Sequence, residues 1–387
     1  MRRLAAASAV GAARIGTLAP MSMKIVIAPD SFKGTLSARD AARAIAVGWG
    51  RVHPGDRLVL LPQADGGEGT LDAVETAVDG AVRRSAGIVT GPDGSPTPGE
   101  WLQLPDGTAV VELAQSSGLP LMRAADARGA TTRGLGQVIR SALTHGATSL
   151  VVGLGGSAST DGGAGALSAL GLRLLDARGS ELADGGAALA RLRSVDRSGL
   201  LAAPPGGVVL LSDVNAPLLG PTGAAAVFGP QKGATPGEVA ELDAALATFA
   251  AVLGGDPSAA GAGAAGGTGF GLATAWGAEL RSGADFIAEL TGVDAAIADA
   301  QLLLLGEGRF DEQSLGGKAV GGLLARAAAA GVPVGVIAGQ VALDAAEPWT
   351  IALSRLAGSG AEAMASPEIW LHAAGAEAAR HFATHQR

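Results

Sequence analysis

The stretch that most limits what this chain can fold into covers residues 150–165, LVVGLGGSASTDGGAG. A short apolar run breaks into glycine-dense backbone carrying Ser157, Ser159, Thr160 and Asp161, and a helix-like Ala/Leu segment begins near Ala164. A buried strand, a loop without bulky side chains and a helix start together form the physical recipe for an anion site. Glycines let backbone N–H groups approach a phosphate, and the helix N-terminus adds partial positive charge. A bare Asp161 would repel a phosphate, so this residue either marks a bound cation or serves as the N-cap of its own helix.

The same construction recurs along the chain. Residues 24–28, KIVIA, form a continuous apolar run of the kind seen in buried parallel strands, ending at Asp30, Ser31 and Lys33. A helix pattern follows over residues 37–51 with Ser37 as a plausible cap. Residues 57–61 make the next strand, which hands over to Asp65, Gly66, Gly67 and Glu68 before another helix. Between residues 82 and 113 the texture changes: extended stretches broken by Pro-Asp-Gly turns predict an antiparallel meander. Residues 208–212 form a strand leading to Asp213 and Asn215, and Gln231 and Lys232 close a short helix before a long one starts at Pro236. Residues 261–271, GAGAAGGTGFG, read as a flexible low-complexity loop, with a hinge or a place of close contact with a ligand as the other reading. Residues 301–305 form a strand followed by a loop bearing Glu307, Arg309 and Asp311, with Lys318 shortly after. Loops at the carboxyl ends of strands in open α/β sheets are where ligands bind.

This order predicts an α/β fold of two α/β domains. Residues 23–82 and 295–385 would form one discontinuous parallel-sheet domain, and residues 83–294 a mixed-sheet α/β domain inserted into it. Residues 1–22 read as a disordered extension or an over-long start, with Met23 the working beginning, because the run after Arg2 and Arg3 is interrupted by Arg14 and contains few strongly apolar residues.

Composition excludes several function classes. A net charge of −8 leaves no broad basic face for nucleic acid or anionic membrane. The absence of Cys removes disulfides, thiolate nucleophiles and Cys-ligated metals. No stretch reads as a membrane span, and a cytoplasmic location is expected. His381 and His385 share a helical spacing, but no Glu follows His381 as a zinc protease motif needs. There is also no GxxxxGK[ST], no HRD or DFG, and no GxSxG. What remains is a set of glycine loops that mix carboxylates with Lys and Arg. Phosphoryl transfer needs that mix: N–H groups cradle phosphates, carboxylates hold Mg²⁺ or accept a proton, and cations neutralise developing charge.

The motifs KIVIAPDSFKGTLSA, ADGGEGT, GLGGSASTDGGAGAL, DVNAPLLGPTGAAAVFGPQKGAT and GEGRFDEQSLGGKA, in this order, closely resemble the class I glycerate kinase family. The resemblance implies a flavodoxin-like domain with an inserted α/β domain. It also implies ATP-dependent phosphorylation of D-glycerate, usually to 2-phosphoglycerate, with Mg²⁺. On that placement, Lys33 or Arg309 binds the glycerate carboxylate. One of Asp65, Asp161 or Asp213 is the base toward the hydroxyl, and Asp213 and Asp161 are the metal-ligand candidates. Asp30, Ser31, Gly66, Gly67, Glu68, Gly155, Gly156, Ser157, Asn215, Gln231, Lys232, Glu307, Arg309, Asp311 and Lys318 are the expected substrate or phosphate contacts. Thr160 stands where the family often has Asn, and Phe310 where Ile is common. 3-Phosphoglycerate as the product, a different small hydroxy acid or polyol as substrate, and a catalytically dead nucleotide-binding regulator are the competing readings.

Overall fold

The computed structural model describes residues 22–32, 34–315, 319–343 and 348–385. In chain order its strands are β1 (Lys24–Pro29), β2 (Arg57–Leu60), β3 (Val82–Thr90), β4 (Pro96–Gln103), β5 (Thr108–Glu112), β6 (Ser149–Gly153), β7 (Arg173–Leu175), β8 (Ser194–Asp196), β9 (Val208–Leu211), β10 (Glu279–Arg281), β11 (Leu302–Phe310), β12 (Val334–Val341) and β13 (Trp349–Ala352). They form a parallel sheet in the order β13-β12-β11-β1-β2, a mixed sheet in the order β10-β9-β6-β5-β4-β3, and a small β7-β8 ribbon.

Counted within the parallel sheet alone, the strand order is that of a flavodoxin-like sheet, which places a topological switch point between β1 and β11. From Ile25 onward β1 carries no polar residue on either face. Ile25 and Ile27 pack with Ala41, Ile45 and Trp49 of helix α1 (Ala38–Gly50) and with Leu371 and Ala378 of the C-terminal helix. Val26 and Ala28 pack on the opposite side with Leu303, Leu305, Val320 and Leu323. Burial on both faces explains why this strand reads as an unbroken apolar run. α1 starts where expected because the Ser37 hydroxyl accepts the Asp40 amide at 3.1 Å.

The mixed sheet contains the expected meander: β3, β4 and β5 are antiparallel, and β5, β6, β9 and β10 then run parallel. Its core is the largest apolar cluster, including Trp101, Leu135, Val152, Leu167, Leu246, Phe249 and Phe270. The helix that follows the loop at 236 is fixed by a capping box between Thr235 and Glu238.

Two expectations differ from the structure. Residues 261–271 are not a loose loop. They lead into a buried helical segment, Ala264–Trp276, interrupted by left-handed backbone at Ala265, Gly266 and Gly267. This kink packs directly against the glycine loop: the Gly162 amide donates to the Gly266 carbonyl at 2.9 Å, and a Cβ at Gly266 would overlap the Ser159 carbonyl. Glycine density that reads as flexibility is here what lets two backbones touch. The GEGRF segment is likewise not loop but the last half of β11, because β12 continues the parallel ladder through Glu307 opposite Ala338 and Arg309 opposite Gln340. Residues 1–21 lie outside the described residues. Among the described residues, no helix is long and apolar enough to cross a membrane.

Candidate active site

Two cavities lie at the carboxyl ends of the two sheets. The first, about 590 Å³, sits above β5, β6 and β9 and is lined by Glu112, Leu154, Gly155, Gly156, Ser157, Ser212, Val214, Gln231 and Lys232, together with Glu68 and Gly266. The second, about 480 Å³, sits at the switch point of the parallel sheet and is lined by Asp30, Ser31, Glu307, Arg309, Asp311, Gln313, Ser314 and Gln340, together with Asp65. The sequence suggested one shared cleft. The structure instead divides the motifs between two cavities, and the segment 65–68 faces both, with Asp65 in the second and Glu68 in the first.

That segment leaves β2 of the parallel sheet but is seated on the mixed sheet. The Gly155 amide donates to the Gly66 carbonyl at 3.0 Å. Gly66 has φ +86°, and a Cβ there would meet Leu211 at the end of β9 at 2.8 Å. The Gly67 amide donates to Asp65 Oδ1 at 3.1 Å, and the Thr70 hydroxyl to the Gly67 carbonyl at 2.7 Å. Asp213, just beyond β9, accepts the Gly283 amide at 3.0 Å. Loss of water raises its carboxyl above the ordinary range, and the nearby negative charge of Asp65 adds to that rise. Asp213 is itself exposed and lines neither cavity, and the charge of Asp65 acts on it from the second one.

Lys232 is the buried cation of the first cavity, at 2% exposure. Its ammonium donates to the Ser157 hydroxyl at 3.1 Å and to the Ser159 carbonyl. Burial pushes its pKa down to about 8, against the opposing pull of Asp161. In the second cavity, Asp30 Oδ1 accepts the Ser31 amide at 2.6 Å. Arg309 is largely exposed and pairs with Asp311 at 3.1 Å. Asp311 also accepts the Gln313 amide at 3.0 Å, starting the short helix Glu312–Leu315.

Five expected residues, Gly66, Gly67, Asp161, Asp213 and Asn215, line neither cavity. Asp161 lines neither cavity and is 0% exposed. It accepts four hydrogen bonds, from the Thr132 amide (2.9 Å), the Thr132 hydroxyl (2.8 Å), the Gly163 amide (3.1 Å) and the Gly165 amide (3.2 Å). Burial raises its carboxyl, and those donors oppose the rise. In this arrangement it ties the glycine loop to the helix Arg133–Thr144, presenting no oxygen to a metal or substrate in the cleft. Asn215 is exposed and lines neither cavity. Lys33 and Lys318 lie outside the described residues, although Phe32 and Ala319, their neighbours in sequence, line the second cavity.

Glu112 was not anticipated. It closes β5, is 1% exposed, and accepts the Gly69 amide at 3.2 Å and the Leu71 amide at 3.1 Å. Burial pushes its pKa up to about 7, with the two amides opposing and the charges of Asp72 and Glu68 adding. The signal available in sequence was a carboxylate ending an otherwise apolar strand, TAVVE.

Among the described residues no group of three or more His, Cys, Asp or Glu side chains is arranged to hold a metal ion. Asp65 and Asp213 are two carboxylates whose charges act on one another, fewer than an all-protein metal cage uses.

A profile of the glycerate kinase family matches residues 25–383. The chain is 46% identical over 332 residues to the glycerate kinase of Bacillus subtilis (strain 168), covering 83% of this chain and 86% of that protein. It is 43% identical over 331 residues to the glycerate 2-kinase of Escherichia coli (strain K12), with the same coverage of both chains. Among solved structures, a crystal structure from Salmonella typhimurium LT2, of a protein assigned as glycerate kinase 2, superposes with a TM-score of 0.80 at 36% identity, covering 94% of this chain and 99% of that one. The two-sheet architecture, the glycine loops and this similarity along nearly the whole chain agree: the chain belongs to the glycerate kinase family and is an ATP-dependent phosphotransferase.

Proposed function

We propose that the protein transfers the γ-phosphoryl group of ATP to a hydroxyl of D-glycerate, giving 2-phosphoglycerate and ADP. The observation that carries this reading is the position of residues 65–68, which present Asp65 to one cavity and Glu68 to the other. A transfer between two bound substrates needs a group common to both sites.

The first cavity suits the nucleotide. Its volume is in the range of small-ligand sites. Lys232 supplies a buried positive charge, and the backbone of Gly155, Gly156 and Ser157 approaches without bulk. The second cavity suits glycerate. Arg309 offers the forked guanidinium that pairs with a carboxylate. Asp30, Glu307 and Asp311 offer acceptors for hydroxyl groups. Asp65 is the base that takes the proton of the attacking hydroxyl. Asp213 would hold Mg²⁺, which neutralises phosphate charge when bound.

The product assignment rests on the similarity to the E. coli glycerate 2-kinase. Incubation with D-glycerate and Mg-ATP, read by phosphorus NMR, tests it. A 2-phosphoglycerate signal is expected. A 3-phosphoglycerate signal overturns the regiochemistry, and absence of turnover with retained ATP binding favours a regulator.

A further inference from the structure

We propose that Glu112 is a positioning residue that holds the substrate-bridging segment 65–68 in register with both cavities, an inference that rests on the reading of Asp65 as the base. Helix α2 (Thr70–Ala77) follows that segment. Its N-cap is Gly69, with φ +93° and no side chain to satisfy the first amides of the helix. The missing cap comes from a different sheet. Glu112 Oε1 accepts the Gly69 amide and Oε2 accepts the Leu71 amide, across more than forty residues of chain. The carboxylate sits at the carboxyl end of β5 and is buried.

Its location explains why a carboxylate is tolerated there. The segment 65–69 lies across the carboxyl ends of neighbouring strands of the mixed sheet: Leu211 of β9 abuts Gly66, Gly155 just after β6 bonds the Gly66 carbonyl, and Glu112 of β5 bonds Gly69 and Leu71. The first of these contacts is steric and the second is one backbone bond. Glu112 grips the segment through a side chain, with one bond to Gly69 at the segment's end and one to Leu71 in the helix that follows. Both of its oxygens point to α2, so it does not offer a free lone-pair array to a nucleotide, although its side chain helps line the first cavity. Removing that grip frees the helix start and lets Asp65 shift relative to the phosphates. A displacement of about 1 Å at reacting atoms costs on the order of a hundredfold in rate.

Glu112→Gln tests this. The amide keeps one acceptor but turns a donor toward the other backbone N–H, so one bond is lost. Hydrogen exchange by mass spectrometry should show faster exchange in a peptide covering 64–72, with peptides from β1 and β11 unchanged. In steady-state assays with D-glycerate and Mg-ATP, kcat should fall by about 10- to 100-fold, with each KM moving less than threefold. Glu112→Asp, with both oxygens kept on a shorter arm, should recover part of the loss. It also serves as the second variant if the Gln protein does not fold. Unchanged exchange at 64–72 overturns the proposal, as does faster exchange with kcat within twofold of wild type. A wild-type protein inactive on D-glycerate refutes the functional reading instead, and the exchange result still decides whether Glu112 holds the segment.

Discussion

Replacing Lys232 by Met separates what the buried ammonium does for the fold from what it does for the ligand. Burial lowers its pKa from 10.5 to about 8, which corresponds to about 3 kcal/mol of folding free energy lost at neutral pH to keep the charged form in the core. Its bonds to the Ser157 hydroxyl and the Ser159 carbonyl return about 1–3 kcal/mol each. These largely offset one another, so Lys232→Met should change stability by no more than about 3 kcal/mol, a shift of several degrees in Tm for a chain this long. The loss to the ligand is not cancelled. A charge-assisted contact to a phosphate is worth about 1.5–3 kcal/mol, so the Kd for a non-hydrolysable ATP analogue, measured by calorimetry, should rise about 10- to 100-fold. The sign with pH follows. The free enzyme holds the proton below about pH 8, and a bound phosphate favours the charged form. Wild-type affinity is therefore flat below pH 8 and weakens by up to about tenfold per unit above it, whereas the Met variant has no such limb. For the fold the direction is opposite. The penalty on the charged form is complete below pH 8 and is relieved as pH rises toward 10.5, so wild type gains stability on the Met variant across that window. A Kd within threefold of wild type, or a wild-type affinity that stays flat to pH 9.5, refutes the reasoning.

Two further predictions separate catalysis from structure. Asp65→Asn should lower kcat by about 10²- to 10⁴-fold, with little change in binding of the ATP analogue; a kcat within threefold of wild type in steady-state assays removes Asp65 as the base. Asp161→Ala leaves four buried donors without their acceptor and should destabilise the fold by about 3–5 kcal/mol; denaturant unfolding with an unchanged midpoint would show that those bonds contribute nothing.

What was legible in the sequence was periodicity and punctuation. The run KIVIA gives a strand buried on both faces, Ser37 marks the helix start that follows it, and the Pro-Asp-Gly turns separate β3, β4 and β5. Glycine was the ambiguous letter. Gly306 and Gly308 read as a break but continue β11, since pairing with β12 outweighs local propensity. Residues 261–271 read as slack but are buried against the 159–162 backbone. At the site, the residue types were visible and their directions were not. Asp161 and Asp65 occupy similar glycine settings, yet one faces three amides and a hydroxyl and the other a cavity. Which of these happens depends on what packs across from the loop, as with Thr132 opposite Asp161, and contacts of that range leave no local pattern. Glu112 was missed for the same reason: its partners lie on another element, 41 and 43 residues away.

The division into two cavities raises a geometric problem whose answer lies in the segment 65–68. In-line transfer requires the attacking oxygen and the leaving oxygen to flank one phosphorus, and cavities built on separate sheets have no intrinsic reason to align. Here the chain assigns one loop to both sheets: it is covalently continuous with β2 of the parallel sheet but hydrogen-bonded to the mixed sheet. Helix α2 extends the arrangement. Arg39 of α1 reaches Asp72 at 3.1 Å and Glu75 at 3.2 Å, and Arg83 of β3 reaches Asp72 at 2.6 Å and Glu75 at 2.7 Å. An element from each sheet thus grips the same two carboxylates. These pairs are partly exposed and individually weak, but their geometry bears on registration more than on stability, because neither sheet can rotate about α2 without breaking its own Arg contacts. The structure therefore fixes Asp65 twice, at the helix start through Glu112 and along the helix through the two arginines. The residues that set the register between the cavities lie outside the glycine motifs by which the family is recognised.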